Sequence, residues 1–193
     1  MKKKSLIAIL LLFSLLFSSA YIPAGHTGDS LIGNYIRQAL SNWCWVASAE
    51  NAVRWEIHGI PDRDQWSYVY HLSDNQYNPY PNFIGDIYAS ADAASYMTYY
   101  QHTYIAVEAA MSFSFLSEQM YWSHPVICAS GHYTGSTRDW GHAVLVCGWY
   151  GGNNQSNITY FDSNTKQYNT CSYSSYCNGS YNGLMYDQTA FHL

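Results

Sequence analysis

The sequence is poor in charged residues. Only 11% of its 193 residues are Asp, Glu, Lys or Arg, whereas 20 are tyrosine and 48% are hydrophobic. Disordered chains combine low hydrophobicity with high charge, so this composition excludes an intrinsically disordered protein. No internal repeat is visible, and the length suits a single globular domain.

Basic residues are scarce beyond the first four positions. From residue 21 onward, five basic residues face 13 acidic ones, a formal charge of −8 with no basic cluster. Phosphate backbones and anionic membranes would repel such a chain. We therefore expect no nucleic-acid partner.

Long hydrophobic runs are also few. The only one covers residues 6–17, behind three lysines at 2–4 and ahead of small residues that end at Ala20. This pattern is typical of a secretory signal peptide, and the run is shorter than the about 20 residues that span a bilayer. We expect cleavage after Ala20, or as late as position 24, to leave residues 21–193 as one secreted domain, extracellular or periplasmic, without a membrane anchor.

Helical and strand patterns occupy different halves of the chain. Apolar residues recur at helical spacing over about 44–58 and 86–99, and a shorter helix is predicted over 114–121. After Pro125, β-branched and aromatic runs alternate with glycine-containing turns. The predicted strand cores are 126–128, 143–146 and 158–161. This order predicts an α+β fold with helices packed beside an antiparallel sheet, and any active site where the two halves meet.

One set of residues has the pattern of nucleophilic catalysis. Cys44 begins the first predicted helix, where free N–H groups and the helix dipole favour a thiolate. His142 begins the strongest predicted strand and Asp162 ends the next one, so antiparallel pairing would bring base and carboxylate together. Gln38 would reach over the helix N-terminus and, with the Cys44 N–H, donate to a developing oxyanion.

These motifs resemble those of the papain-like cysteine peptidases. They are Gln38-x5-Cys44-Trp45, then Gly141-His142-Ala143-Val144, then Asp162. The similarity is greatest to compact secreted bacterial members such as the staphopains and the C39-like branch. It implies a papain-like fold, in which an N-terminal helical half carries the nucleophile helix and packs against a C-terminal antiparallel β half.

The resemblance also implies roles and partners. Cys44 would be the nucleophile, His142 the base, Asp162 the orienting group and Gln38 the oxyanion residue, acting on a protein or peptide substrate. Few residues separate the predicted signal from Gln38, so any latency is expected to come from a separate proteinaceous inhibitor or from redox state.

The chain departs from the larger papain-type enzymes at two points. Cys44 and His142 are 98 residues apart, against about 130–150 in those enzymes, which implies a trimmed β half. The third residue is Asp162 instead of asparagine, and Ser163-Asn164 follow it. Asn164 is therefore an alternative to Asp162 as the group that orients the histidine.

The other cysteines suit an oxidising compartment. Cys171 and Cys177 are predicted to form a local disulfide, worth about 2 kcal/mol for so small a loop. Cys128 and Cys147 lie on strands that would be neighbours, and whether they form a second bridge depends on geometry. Cys44 is left as the unpaired thiol.

The remaining histidines and the tryptophans give weaker signals. Seven histidines besides His142 show no metal-ligand spacing, so we expect neither a metal nor a cofactor. Four tryptophans neighbour the motif residues and are predicted to lie near the cleft. They are Trp43, Trp45, Trp140 and Trp149.

Other activities use the same residue types. A Cys-His-Asp set in this order also serves transglutaminase-like acyl transfer and peptidoglycan amidases. A retired peptidase fold would instead be a non-catalytic module that binds peptide or glycan along its aromatic cleft.

Overall fold

A computed structural model of the chain describes residues 34–73, 82–152, 155–180 and 182–193. The predicted signal segment and its cleavage sites lie outside these residues. Within the described ranges, every helix is too short or too polar to cross a membrane.

In the described part of the N-terminal half there are three helices, and two of them were predicted from periodicity. Helix α1 covers Cys44–Glu56, α2 covers Gln65–Leu72 and α3 covers Ile87–Met97. The α1 helix stops two residues earlier than predicted, because His58 adopts a left-handed backbone with φ 51°. Asp86 caps α3 as its sequence position suggests, since its carboxylate accepts the Ala89 N–H at 2.8 Å.

Helix α2 was not predicted, although its start carries a capping signal. Asp64 and Ser67 exchange side-chain-to-backbone hydrogen bonds of 2.8 and 2.9 Å, which satisfies two otherwise unpaired N–H groups. The buried Glu50 of α1 accepts the Gln65 N–H at 2.9 Å. This contact fastens the start of α2 to the side of α1.

The C-terminal half is one six-stranded antiparallel sheet. Its strands are β1 Tyr104–Val107, β2 Val126–Thr134, β3 Thr137–Gly152, β4 Gln155–Asp162, β5 Gln167–Ser172 and β6 Met185–His192, in the order β1-β6-β2-β3-β4-β5. Helix α4, Phe113–Tyr121, follows β1, and the short α5, Tyr173–Cys177, follows β5. The predicted α+β class, with a helical first half and an antiparallel sheet second, is confirmed.

The sequence patterns found only the apolar centres of β2, β3 and β4. Those centres are buried on both sides and form the core with α1. Strands β1, β5 and β6 are shorter or more polar, so a run of β-branched residues does not mark them. Strand β6 pairs with both β1 and β2, although 50 residues lie between the end of β2 and the start of β6.

The expected Cys171–Cys177 bridge is absent, and so is the Cys128–Cys147 bridge that the sequence left open. All five cysteines are free thiols. Cys128 pairs across the sheet with Val144 and lies near Tyr186 and Cys177, whereas Cys147 lies near Tyr35. Cys171 lies on β5 and Cys177 closes α5, and both are free thiols. The predicted Cys171–Cys177 disulfide is therefore not part of this structure.

Candidate active site

The first element of the site is the N-terminus of α1. Cys44 is its first residue and is half-buried. One turn later, the Ser48 hydroxyl donates to the Ala143 carbonyl of β3 at 3.1 Å. The Ala143 N–H points to the Cys44 sulfur, with 3.5 Å between nitrogen and Sγ. Helix α1 thus meets the sheet at the residue that follows His142.

His142 and Asp162 come together on neighbouring strands. His142 Nε2 and Asp162 Oδ1 are 2.9 Å apart, which leaves Nδ1 for the side facing Cys44. His142 lies in the interior of β3, not at its start as predicted, because β3 extends to Thr137. Asp162 ends β4 as expected.

Asn164, the alternative orienting residue, has a different position. Its backbone N–H donates to Asp162 Oδ1 at 2.8 Å, and its carbonyl accepts from Arg37 Nε at 3.0 Å. The structure therefore pairs His142 with the Asp162 carboxylate, while Asn164 supports that carboxylate through its backbone.

The three side chains change one another's proton affinities. Burial alone would raise the pKa of Cys44, but the hydrogen bond and charge of His142, with N–H groups of Ala143 and Trp45, lower it below the usual thiol range. Burial opposes charge on His142 as well, yet Asp162 and Cys44 raise its pKa to about 10. Asp162 is half-buried, and the same histidine outweighs that burial and lowers its pKa. The arrangement favours a thiolate–imidazolium pair.

Gln38 lies beside the site with its side-chain amide engaged. Its Nε2 donates to the carbonyl oxygens of Leu40 at 3.0 Å and Ser41 at 2.8 Å. Its Oε1 accepts from the Ser163 hydroxyl at 3.3 Å. The amide braces the turn that leads to Cys44, and an oxyanion would compete with these two carbonyls for its N–H groups.

The tryptophans mostly belong to the core. Trp43 and Trp45 are fully buried, Trp149 is buried, and only Trp140 of the four is exposed. Trp43 packs edge-on against Trp66, with 4.8 Å between ring centroids. All four neighbour the site residues in sequence, but of the four only Trp140 is open to solvent.

Comparisons with known proteins give a fold but no sequence family. No protein-family model matches the chain, and no curated protein matches it. Its structure is similar to that of procathepsin L 3 from the Tenebrio molitor larval midgut, with a TM-score of 0.59 and 14% identity over 90% of this chain and 71% of that one. A structure from work on the mite allergens Blo t 1 and Der p 1 also scores 0.59, with 12% identity over 91% and 73% of the two chains.

The chain has the papain-like fold.

Sequence reasoning missed two groups next to the predicted site residues. Ala143 contributes a backbone N–H, which no side-chain motif reveals. Ser163 is fully buried and joins the end of β4 to Gln38, since its carbonyl also accepts the Gln38 N–H at 3.0 Å. The only sequence signal that could have identified Ser163 was its position directly after Asp162.

Proposed function

We propose that this chain is a secreted cysteine peptidase that hydrolyses peptide bonds with Cys44, His142 and Asp162. The observation that carries the proposal is the position of Cys44 at the α1 terminus, 3.5 Å from the N–H of the residue after His142, with the Asp162 carboxylate 2.9 Å from the His142 imidazole. A nucleophile, a base and an orienting acceptor in this order are what thiol-based acyl transfer requires.

The mechanism uses groups of this chain alone. The Cys44 thiolate attacks the carbonyl carbon of the scissile peptide, and the π electrons move to its oxygen. Imidazolium His142 then protonates the leaving amine, and the remaining thioester is hydrolysed by water that gives its proton to His142. Throughout the reaction, the Asp162 carboxylate accepts a hydrogen bond from His142 Nε2–H and so holds the imidazole in place.

The tetrahedral oxyanion needs donors close to Cys44. The Cys44 N–H belongs to the first turn of α1, where N–H groups have no partner within the helix. Gln38 is the second donor in this proposal, and one of its N–H groups would exchange the Leu40 or Ser41 carbonyl for the oxyanion.

Export and context complete the proposal. The lysine-led apolar segment supports secretion through a cleaved signal peptide. The short spacing between Cys44 and His142 supports a relation to the compact bacterial members of the superfamily. The substrate would be a protein or peptide, and a separate proteinaceous inhibitor would supply any latency.

The first test is labelling with a peptidyl epoxide, followed by mass spectrometry. We expect one adduct, on Cys44, that disappears in Cys44→Ala and in His142→Ala. Cys177→Ala is the matched control, because Cys177 is also half-buried but burial raises its thiol pKa. It should label like the parent chain. No adduct on folded, reduced protein would overturn the proposal in favour of a binding module.

A second measurement separates hydrolysis from transfer to another acceptor. The chain is incubated with an unfolded protein and a labelled primary amine, and new N-termini and incorporated amine are both counted. We expect new N-termini in excess. Amine incorporation without cleavage would indicate transglutaminase-like chemistry, and clearing of cell-wall suspensions would indicate a peptidoglycan amidase.

A further inference from the structure

The far end of α1 carries a second cluster of chemically capable side chains. Glu56 is the last residue of α1, His102 precedes β1, and His192 is near the end of β6. Glu56 Oε2 is 3.4 Å from His102 Nδ1, and Glu56 Oε1 is 3.3 Å from His192 Nδ1. One possible ligand atom from each of the three residues lies within 4.8 Å of the other two.

The carboxylate at the centre of this cluster is buried beside two histidines and the Tyr104 hydroxyl. The Glu56 side chain is only 4% exposed. Among the residues that the structure describes, neither of its oxygens nor His192 Nδ1 has a partner in strict hydrogen-bonding geometry, although the Tyr104 hydroxyl also interacts with this carboxylate. Buried polar groups are normally satisfied, so these three atoms require an explanation.

The cluster borders a cavity of about 220 Å³. His58 and His124 also line it, and the His124 ring centroid is 5.4 Å from that of His192. Nitrogen and carboxylate ligands therefore surround a space that is connected to solvent and large enough for an ion with bound water.

We propose that Glu56, His102 and His192 form a binding site for a divalent transition metal of the zinc type. Two imidazole nitrogens and one carboxylate are a donor set that Zn²⁺ uses in proteins. Ligands about 2.0–2.1 Å from a tetrahedral ion are about 3.3 Å from each other. Each histidine nitrogen is near that distance from one of the two Glu56 oxygens, and one ligand atom from each residue lies within 4.8 Å of the others. Water or His124 takes the fourth position.

Charge favours a metal over a simple ion pair. The His102 and His192 rings are in contact, with centroids 4.8 Å apart, so protonating both would place two like charges against one carboxylate.

The site would join three parts of the fold that are far apart in the chain. Glu56 belongs to the helix that starts with Cys44. His102 lies two residues before Tyr104 of β1, and Tyr104 pairs with His192 of β6. The carbonyl groups at the end of α1 add a favourable field for a cation. A bound ion would therefore hold the C-terminal end of the nucleophile helix against the edge of the sheet.

The test uses Zn²⁺ on the full chain carrying Cys44→Ala, so that the predicted catalytic thiol cannot bind the metal. Calorimetric titration should give one ion per chain, and the unfolding temperature should rise with free Zn²⁺ and fall again with a chelator. His102→Ala and Glu56→Gln should each weaken binding at least tenfold. His71→Ala, an exposed histidine that is not among the three ligands, should leave it unchanged.

A Co²⁺ substitution identifies the ligand type. We expect a spectrum without the intense charge-transfer band that a thiolate ligand produces. No stoichiometric uptake at micromolar free Zn²⁺, or equal affinity in His102→Ala and the parent, would overturn the proposal. A thiolate band would overturn it too, by moving the metal to the cysteines. His102 is 35% exposed, so its replacement tests binding even where Glu56→Gln unfolds. These readouts are independent of peptidase activity.

Discussion

Cys44 and His142 shift each other's pKa in opposite directions. The lowered thiol pKa and the raised imidazole pKa, about 10, define a window in which thiolate and imidazolium coexist. As pH falls through the Cys44 value the thiolate is lost, and as pH rises through the His142 value the imidazolium is lost. Activity that depends on the pair should follow a bell-shaped profile whose alkaline limb lies near pH 10.

Replacing the Asp162 carboxylate should narrow the pH range in which thiolate and imidazolium coexist. In Asp162→Asn the hydrogen bond that raises the pKa of His142 loses its charge, so the alkaline limb should move down. A less charged His142 stabilises the thiolate less, so the acidic limb should move up. We expect kcat/KM at pH 7 to fall about tenfold in Asp162→Asn and about 100-fold in Asp162→Ala, measured over the full pH range.

The chain supplies a matched control for this change. His132 and Asp139 form a similar contact at 3.1 Å, but both are surface residues of the sheet and distinct from the predicted site residues. Asp139→Asn should leave both limbs in place. If Asp162→Asn leaves them in place as well, Asp162 does not orient the histidine.

At the scale of elements, α1 organises the site through its polar stripe. Cys44, Ser48 and Asn51 recur at the spacing of one helical face. Ser48 binds the β3 backbone, and Asn51 binds both the N–H and the carbonyl of Ile36, at 2.7 and 3.0 Å. One face of α1 therefore positions the nucleophile, the sheet and the segment that leads to Gln38.

Helix α1 is also held by a close contact between Gly85 and the indole of Trp45. A Cβ added at Gly85 would be 2.3 Å from Cδ2 of Trp45, the fully buried residue after Cys44. Gly85→Ala must therefore displace the indole, and we expect a loss of about 1–3 kcal/mol in the free energy of unfolding, measured by urea denaturation. Epoxide labelling of Cys44 should slow at the same time.

Gly59→Ala is the control for that substitution. A Cβ there would meet only the Ile57 carbonyl, at 3.7 Å, which is an ordinary contact. Its stability should change by less than that of Gly85→Ala. Equal effects would mean that the tight contact with Trp45 is not the cause.

At the scale of the whole molecule, the fold is held together without cross-links. All five cysteines are thiols, and burial raises the pKa of Cys128, Cys147 and Cys171 to about 12, 12 and 11. Those three thiols are therefore protonated and unreactive near neutral pH. Cys44 differs from them because its neighbours stabilise the thiolate.

The unfolding temperature should consequently be the same with and without a reducing agent. A native disulfide that was lost on reduction would cost about 2–5 kcal/mol, enough to shift the transition clearly. Intact mass under non-reducing conditions gives the independent check. A mass lower by two hydrogens, with a transition that drops on reduction, would restore the Cys171–Cys177 bridge expected from the sequence.

Local patterns predicted the elements whose formation is local. The helical periodicity of α1 and α3, the Asp86 cap and the apolar centres of β2, β3 and β4 lie within short windows of sequence, and the structure has them. The same windows placed Cys44 at a helix start and Asp162 at a strand end. The short and polar strands β1, β5 and β6 were missed, because tertiary pairing and not composition makes them strands.

Sequence alone determined the low charge, the order of helices before strands and the residue types that suit thiol chemistry. Tertiary structure alone decided which of these side chains meet. In the folded chain the Gln38 amide donates to the carbonyls of Leu40 and Ser41, His142 pairs with Asp162 and not with Asn164, and His192 lies beside Glu56. The reason is physical: helix and strand preferences act over a few residues, whereas contacts between distant residues depend on how the helices and the sheet pack together.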